Sequence, residues 1–235
     1  LVTALNRFSV HAQPNEVEIE IPVSTQQKMP KIRSAIDEAE SRAKQSQTLG
    51  QLKASLENYE FCDLKKGSRN LVFSSGDPDG EVMIIGEAPG REEDNQGVPF
   101  VGRAGKLLDK MLEAIQLNRD KVYISNIVPW RPPGNRQPND EEIMQCLPII
   151  QKHIEIINPK ILVLLGSTAM NAIIGNRVVI SKARGQWSEK KFGECKTSVI
   201  VTFHPAFLMR QPAQKKMAWI DLKMIRERKS KLKIN

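Results

Sequence analysis

Four short apolar runs punctuate the middle of the chain: Glu81-Val82-Met83-Ile84-Ile85, Lys121 to Val128, Lys160 to Leu165 and Ser198 to Phe203. Each is rich in aliphatic residues and bounded by turn-forming ones, the pattern of a buried strand. Between them the apolar period lengthens to that of a helix. Leu107, Leu108, Met111, Leu112 and Ile115 recur at helical spacing from about Arg103. Ile143, Leu147, Ile150, Ile154 and Ile157 do so after Asn139, which forms a capping box with Glu142. Pro148 is expected to kink that helix or end its first part. A further helix opens at Ser167 after Gly166, and a last one runs from about Pro212. This alternation predicts an α/β protein of three αβα layers, with a central four-stranded, mostly parallel sheet and helices on both faces.

The pattern is looser on either side. Residues 1–29 are polar and Pro-containing and read as a flexible or irregular extension, although Glu16 to Val23 alternates as a short strand would. Lys31 to Ser46 and Thr48 to Tyr59 read as helices, Cys62 to Phe73 as a connection, and Ser74 to Gly80 as turn chemistry. Val178 to Lys196 suggests a hairpin turning near Gly193. The expected division is an N-terminal extension over 1–50, an α/β domain over 51–225 and a basic tail over 226–235.

Charge narrows the partners. The formal net charge is +8, and Lys215 to Asn235 holds eight basic residues against two acidic ones. Such an excess suits a polyanion; a solvated helix face and frayed tail is the plainer use. If the tail serves binding, deleting 226–235 should mainly weaken affinity for that polyanion and its salt dependence. No apolar run approaches a membrane span, and the N-terminus lacks the apolar stretch of a signal peptide. Cys62, Cys146 and Cys195 make no disulfide framework. A cytoplasmic monomer without a membrane partner is expected.

The chemistry gathers around Gly86-Glu87-Ala88-Pro89-Gly90, the loop after the first of the four strands. Glu87 follows that strand, Asn126 lies near the end of the second, His204 follows the fourth, and Phe100 belongs to the first loop. All four therefore fall at the carboxyl edge of one sheet, where open α/β sheets bind ligands. Phe offers a flat apolar face, and Asn a donor and an acceptor side by side. His can donate to an oxygen gaining negative charge, and Glu can hold a water. Together they suit a flat, hydrogen-bonding base. Each also has a plainer use: Phe100 in the core, Asn126 bonded to a neighbouring loop, His204 capping a turn, Glu87 paired with Arg91 or Arg131. A phosphate-loop reading of GEAPG ranks last, because the Lys-Ser/Thr of a P-loop and the third Gly of a dinucleotide fingerprint are missing.

Three motifs in order, GEAPGREEDNQGVPFVGRAGKLLDKML, YISNIVPWRPPGNRQPNDEEIMQC and FHPAFLMRQP, resemble the family 4 uracil-DNA glycosylases over roughly Leu56 to Leu222. The resemblance implies an enzyme that flips uracil out of DNA and hydrolyses its N-glycosidic bond. On this sequence it implies that Glu87, Ala88 and Pro89 line the uracil pocket, with Glu87 positioning the attacking water. It places Phe100 stacked on the base, Asn126 on the O4 and N3–H edge, and His204 donating to O2. Glu93 would crowd C5, Leu208 and Arg210 would wedge into the minor groove, and Arg131 would also contact DNA.

The family usually holds a [4Fe-4S] cluster on four cysteines, and here the corresponding positions read Tyr59, Cys62, Trp130 and Cys146. Such a cluster takes four thiolates, so the expectation is no cluster and no other cofactor, with the two aromatics filling the space. A covalent DNA-trapping relative carries a His in a Lys/Arg-rich insertion, and Pro129 to Pro138 holds no His. The competing reading is a non-catalytic DNA-binding protein on the same fold, a damage sensor or replication accessory.

Overall fold

A computed structural model describes residues 23–175 and 178–234. The described residues open with α1 (Val23–Gln45), α2 (Leu49–Glu57) and α3 (Asp63–Gly67). Then come β1 (Ser75–Gly76), β2 (Val82–Gly86), α4 (Arg91–Gln96), α5 (Arg103–Glu113) and β3 (Tyr123–Asn126). The second half comprises α6 (Asp140–Ile157), β4 (Ile161–Leu165), α7 (Gly166–Ile174), α8 (Ile180–Ala183), β5 (Trp187–Phe192), β6 (Cys195–Thr202), α9 (Pro205–Arg210) and α10 (Lys215–Lys231).

Among the described residues the sheet has six strands in the order β1-β3-β2-β4-β6-β5. The four expected strands form its parallel centre. The other two, β1 and β5, add an antiparallel strand at each edge. Their role is physical: an open edge leaves a row of unpaired amides and carbonyls, and a short strand covers it. The hairpin expected near Gly193 forms, with Phe192 opposite Cys195.

Both faces of the parallel centre are covered, so β2 and β4 are buried along their whole length. Successive residues still serve different cores. Met83, Ile85, Leu162, Leu164, Val199 and Val201 pack with α1, α2, α6 and α7. Val82, Ile84, Ile161, Val163, Leu165 and Ile200 pack with α5, α9 and α10.

Several boundaries differ from expectation. α1 starts at Val23, ahead of Lys31, and takes Pro30 inside it. The strand expected over Glu16–Val23 lies outside the described residues, apart from Val23 itself. The connection after Cys62 contains α3. α6 forms its capping box at Asn139 and Glu142 and continues past Pro148 to Ile157. The buried stripe of Cys146, Ile149, Ile150, His153, Ile154 and Ile157 spans the proline and holds the helix together. At the C-terminus, residues 226–231 complete α10, and Lys229 and Ile234 are buried.

β2 lies between β3 and β4, so the connections leave it in opposite directions. The crevice beyond the carboxyl ends of β2 and β4 is therefore a topological switch point, the place where such sheets bind ligands.

Candidate active site

Gly86 ends β2 and pairs in register with Asn126, the last residue of β3. The missing side chain is put to use. A Cβ on Gly86 would lie 2.5 Å from both Asn126 Oδ1 and Phe100 Cζ. The amide and the ring thus lean over one backbone position. Asn126 is only 4% exposed, and its Oδ1 is buried with no hydrogen-bond partner among the described residues. Leaving such an acceptor unpaired costs about 1–3 kcal/mol, and a donor arriving in the cavity would remove that cost.

His204 stands at the N-cap of α9, where Nδ1 accepts the Ala206 amide proton at 3.1 Å. Neutral imidazole carries one proton, so that proton sits on Nε2 and is free to be donated. Burial, helped by Arg210, pushes the His204 pKa down to about 4, which keeps the ring neutral at pH 7. The rings of His204 and Phe100 lie 5.6 Å apart. Gly166, at φ +92°, makes room for the imidazole, since a Cβ there would come within 3.1 Å of the His204 Cβ.

Glu87 is held by neither arginine proposed for it. Its Oε2 accepts the Thr168 hydroxyl at 2.5 Å and the Gln137 amide at 3.4 Å, and Oε1 takes no hydrogen bond from the described residues. Arg131 instead donates to Asn135 at 2.7 Å and lies 3.8 Å from Asp94. Phe100 adopts φ +55°, a left-handed conformation that costs a bulky residue about 1–3 kcal/mol.

These groups surround one cavity of about 590 Å³, within the ordinary range for a small-molecule site. Glu87, Ala88, Pro89, Glu93, Phe100, Asn126, His204 and Arg210 all line it. Glu93, expected against C5, has both carboxylate oxygens engaged: Oε2 with the Gly90 amide at 3.1 Å and Oε1 with the Gly102 amide at 2.9 Å. Leu208 requires a correction. It is 0% exposed and packs in the core, and a side chain without free surface cannot enter a DNA groove. Phe207 and Met209 on either side are partly exposed, and Phe207 reaches the cavity. Thr168, Gln137 and Gly166 were not anticipated. The only sequence hint for Thr168 and Gly166 was their place just after a core strand.

Tyr59, Cys62, Trp130 and Cys146 share the core on the other face of the sheet. The rings of Tyr59 and Trp130 stack 5.9 Å apart and 6° from parallel, and the Tyr59 hydroxyl donates to the Ala35 carbonyl at 3.0 Å. A hydrogen bond between the two thiols lowers the Cys62 pKa and, with burial, raises that of Cys146. Two thiols beside a stacked aromatic pair do not fit a four-thiolate cluster. Among the described residues, no group of three or more His, Cys, Asp or Glu side chains is placed to hold a metal ion.

A mostly parallel α/β sheet with a donor- and acceptor-lined cavity at its switch point defines a class, and sequence comparison gives the family. The profile of the Uracil DNA glycosylase superfamily matches residues 73–223, so the chain belongs to that superfamily. A type-4 uracil-DNA glycosylase of Sulfurisphaera tokodaii is 40% identical over 185 residues, 77% of this chain and 84% of its own. The type-4 enzyme of Thermotoga maritima is 43% identical over 150 residues, 63% of this chain and 77% of its own. That of Archaeoglobus fulgidus is 39% identical over 71% of this chain and 85% of its own.

Proposed function

We propose that this chain is a monofunctional uracil-DNA glycosylase of DNA repair, which takes uracil out of the DNA stack and hydrolyses its N-glycosidic bond to leave an abasic site. The unpaired Asn126 Oδ1 carries the reading. It is an acceptor waiting for a donor such as uracil N3–H, and the adjoining Asn126 amide N–H suits uracil O4. Cytosine presents the opposite pattern at both positions. Phe100 supplies the stacking face, and extrusion of the base costs a few kcal/mol.

Bond cleavage sends the C1′–N1 electron pair into the uracil ring, where charge builds on O2. His204 Nε2–H donates there from a neutral ring, and one such preorganised donor is worth about 3 kcal/mol. Glu87, anchored through Oε2, keeps Oε1 for the water that adds to C1′ and for the proton it releases. Glu93 holds Gly90 and Gly102 together, which sets the wall facing C5 and disfavours a methyl group. Arg210 and Arg131 approach the phosphates, and Phe207 and Met209 take the wedge position expected of Leu208. The aromatic stack replaces the cluster that the family resemblance implies, and no step draws on a metal. A cytoplasmic monomer remains the expected form.

The test is single-turnover release of uracil from a U·G duplex by protein of known iron content. Release by iron-free protein supports the proposal. Tight binding of the duplex without release would favour the non-catalytic reading.

A further inference from the structure

We propose that Arg119 is a positioning residue for the base-stacking ring, clamping the Phe100 backbone in its left-handed turn; this rests on the reading that Phe100 stacks on the extruded base. Arg119 lies between α5 and β3, and its guanidinium is spread over the loop that carries Phe100. Nη1 donates to the Pro99 carbonyl at 3.1 Å, and Nη2 donates to the Phe100 carbonyl. Nε donates to Asp109 Oδ1 at 2.7 Å, which fixes the plane of the fork from α5. Nη1 also reaches Ser75 Oγ at 3.4 Å.

The neighbours explain why a clamp is needed. Phe100 has φ +55°, a conformation that an aromatic residue leaves unless its surroundings over-determine it. On one side the first turn of α5 presses on its carbonyl: a Cβ on Gly105 would lie 1.7 Å from Phe100 O. On the other side is the guanidinium. Two residues on, Glu93 Oε1 pins the Gly102 amide at 2.9 Å. The ring then has one slot to enter, the space left by Gly86, where it meets Asn126 and His204. The same carbonyl bonds that hold the loop therefore set the ring against the base. Arg119 and Asp109 retain 27% and 37% side-chain exposure, so a screened ion pair alone would add little. The directed bonds to two successive carbonyls matter, and a lysine cannot make both and keep Asp109.

The experiment uses the full chain with R119M, R119K, F100A and the double variant R119M/F100A. Single-turnover uracil release, duplex affinity, thermal midpoint and the imidazole proton resonances of His204 and His153 are measured on each. R119M is expected to slow release about 10- to 100-fold, with duplex affinity within about two-fold and R119K recovering only part of the rate. In the F100A background R119M should cause no further loss. The His204 resonances, which feel the Phe100 ring current, should move in R119M as they do in F100A, while those of His153 stay. Equal losses in both backgrounds with unmoved His204 resonances would overturn the clamp and leave base stacking intact. So would a lowered thermal midpoint with unchanged rates. Normal release by F100A, with the resonances displaced, would overturn base stacking and with it the function given to the clamp.

Discussion

The Thr168 hydroxyl donates a hydrogen bond to Glu87 Oε2 across 2.5 Å, joining the first turn of α7, directly after β4, to the loop that follows β2, at the point where strand order reverses. The bond holds Glu87 away from Arg91 and Arg131 and leaves Oε1 without a hydrogen-bond partner among the described residues. Thr168→Val removes the donor with little change of shape. Uracil release should slow about 10-fold, the equivalent of one hydrogen bond to a charged group, while duplex affinity stays unchanged. A rate within two-fold of the parent would remove Thr168 from the reaction.

Asn126→Asp exchanges the amide donor for a second acceptor at the position proposed for uracil O4. At neutral pH an ionised carboxylate would also sit in a site that is 4% exposed. Release should fall by about 100-fold or more, since an unmet buried acceptor costs about 1–3 kcal/mol and a charged one more. Circular dichroism should report an intact fold. A near-normal rate would displace Asn126 from the base edge.

His204 and His153 set the response to acid. Burial pushes His153 down to about 3, with Tyr123 Oη 2.7 Å from its Nε2, and His204 down to about 4. In the unfolded chain both should titrate near pH 6.5. Between those values the unfolded state binds more protons. Their contribution to stability is therefore complete above about pH 6.5 and is lost as the pH falls toward 4 for His204 and toward 3 for His153. His204 keeps some surface in the cavity, so the fully enclosed His153 should account for most of the slope. Urea midpoints between pH 7 and 4 should fall, and His153→Gln should flatten the fall. Uracil release should stay level from pH 8 to about 5.5, because the neutral ring already carries its donor proton. A rate that rises on passing below pH 6.5 would show that imidazolium is the active form.

The Tyr59–Trp130 stack makes a prediction about metal. Purified protein should contain no iron and show no absorbance near 400 nm, and a chelator should leave uracil release unchanged. Trp130→Ala should cost about 3–5 kcal/mol of unfolding free energy, as for other large core aromatics. Stoichiometric iron bound through Cys62 and Cys146 would overturn this reading.

The basic C-terminus is more than a tail for phosphates. Ile234 is 6% exposed within the core, and Lys229 Nζ lies 3.4 Å from the Gln116 carbonyl. Deleting 226–235 should therefore lower the thermal midpoint, beyond any loss of DNA affinity. Replacing the exposed Lys231 and Lys233 by Gln is the cleaner probe. If this end meets DNA, the salt slope of binding should fall by about one for each lysine that had neutralised a phosphate, with the midpoint unchanged.

The parallel sheet was legible because its strands are apolar runs separated by helical periods. The convergence of Glu87, Phe100, Asn126 and His204 followed from counting strand ends. Pattern could not supply the edges. β1 has only two residues and sits in what reads as a turn. Leu208 looked available because motif position says nothing of which side of a short helix faces the core. Glu93 read as a wall, and its carboxylate also staples two loop amides, a tertiary relation with no trace in local spacing. Thr168 and Arg119 were silent for the same reason: their partners lie 81 and 19 residues away, at Glu87 and Phe100.

The sheet also works as a partition. Phe100 belongs to the core on one face, while Tyr59, Cys62, Trp130 and Cys146 belong to the core on the other. Change on the far face reaches the cavity through the shared strands and through two direct links: Ala88, which packs on that core, and Thr168 of α7, which bonds to Glu87. The two faces are thus coupled at Glu87 and insulated at Phe100, so a new filling of the far core bears on the carboxylate before it bears on the ring.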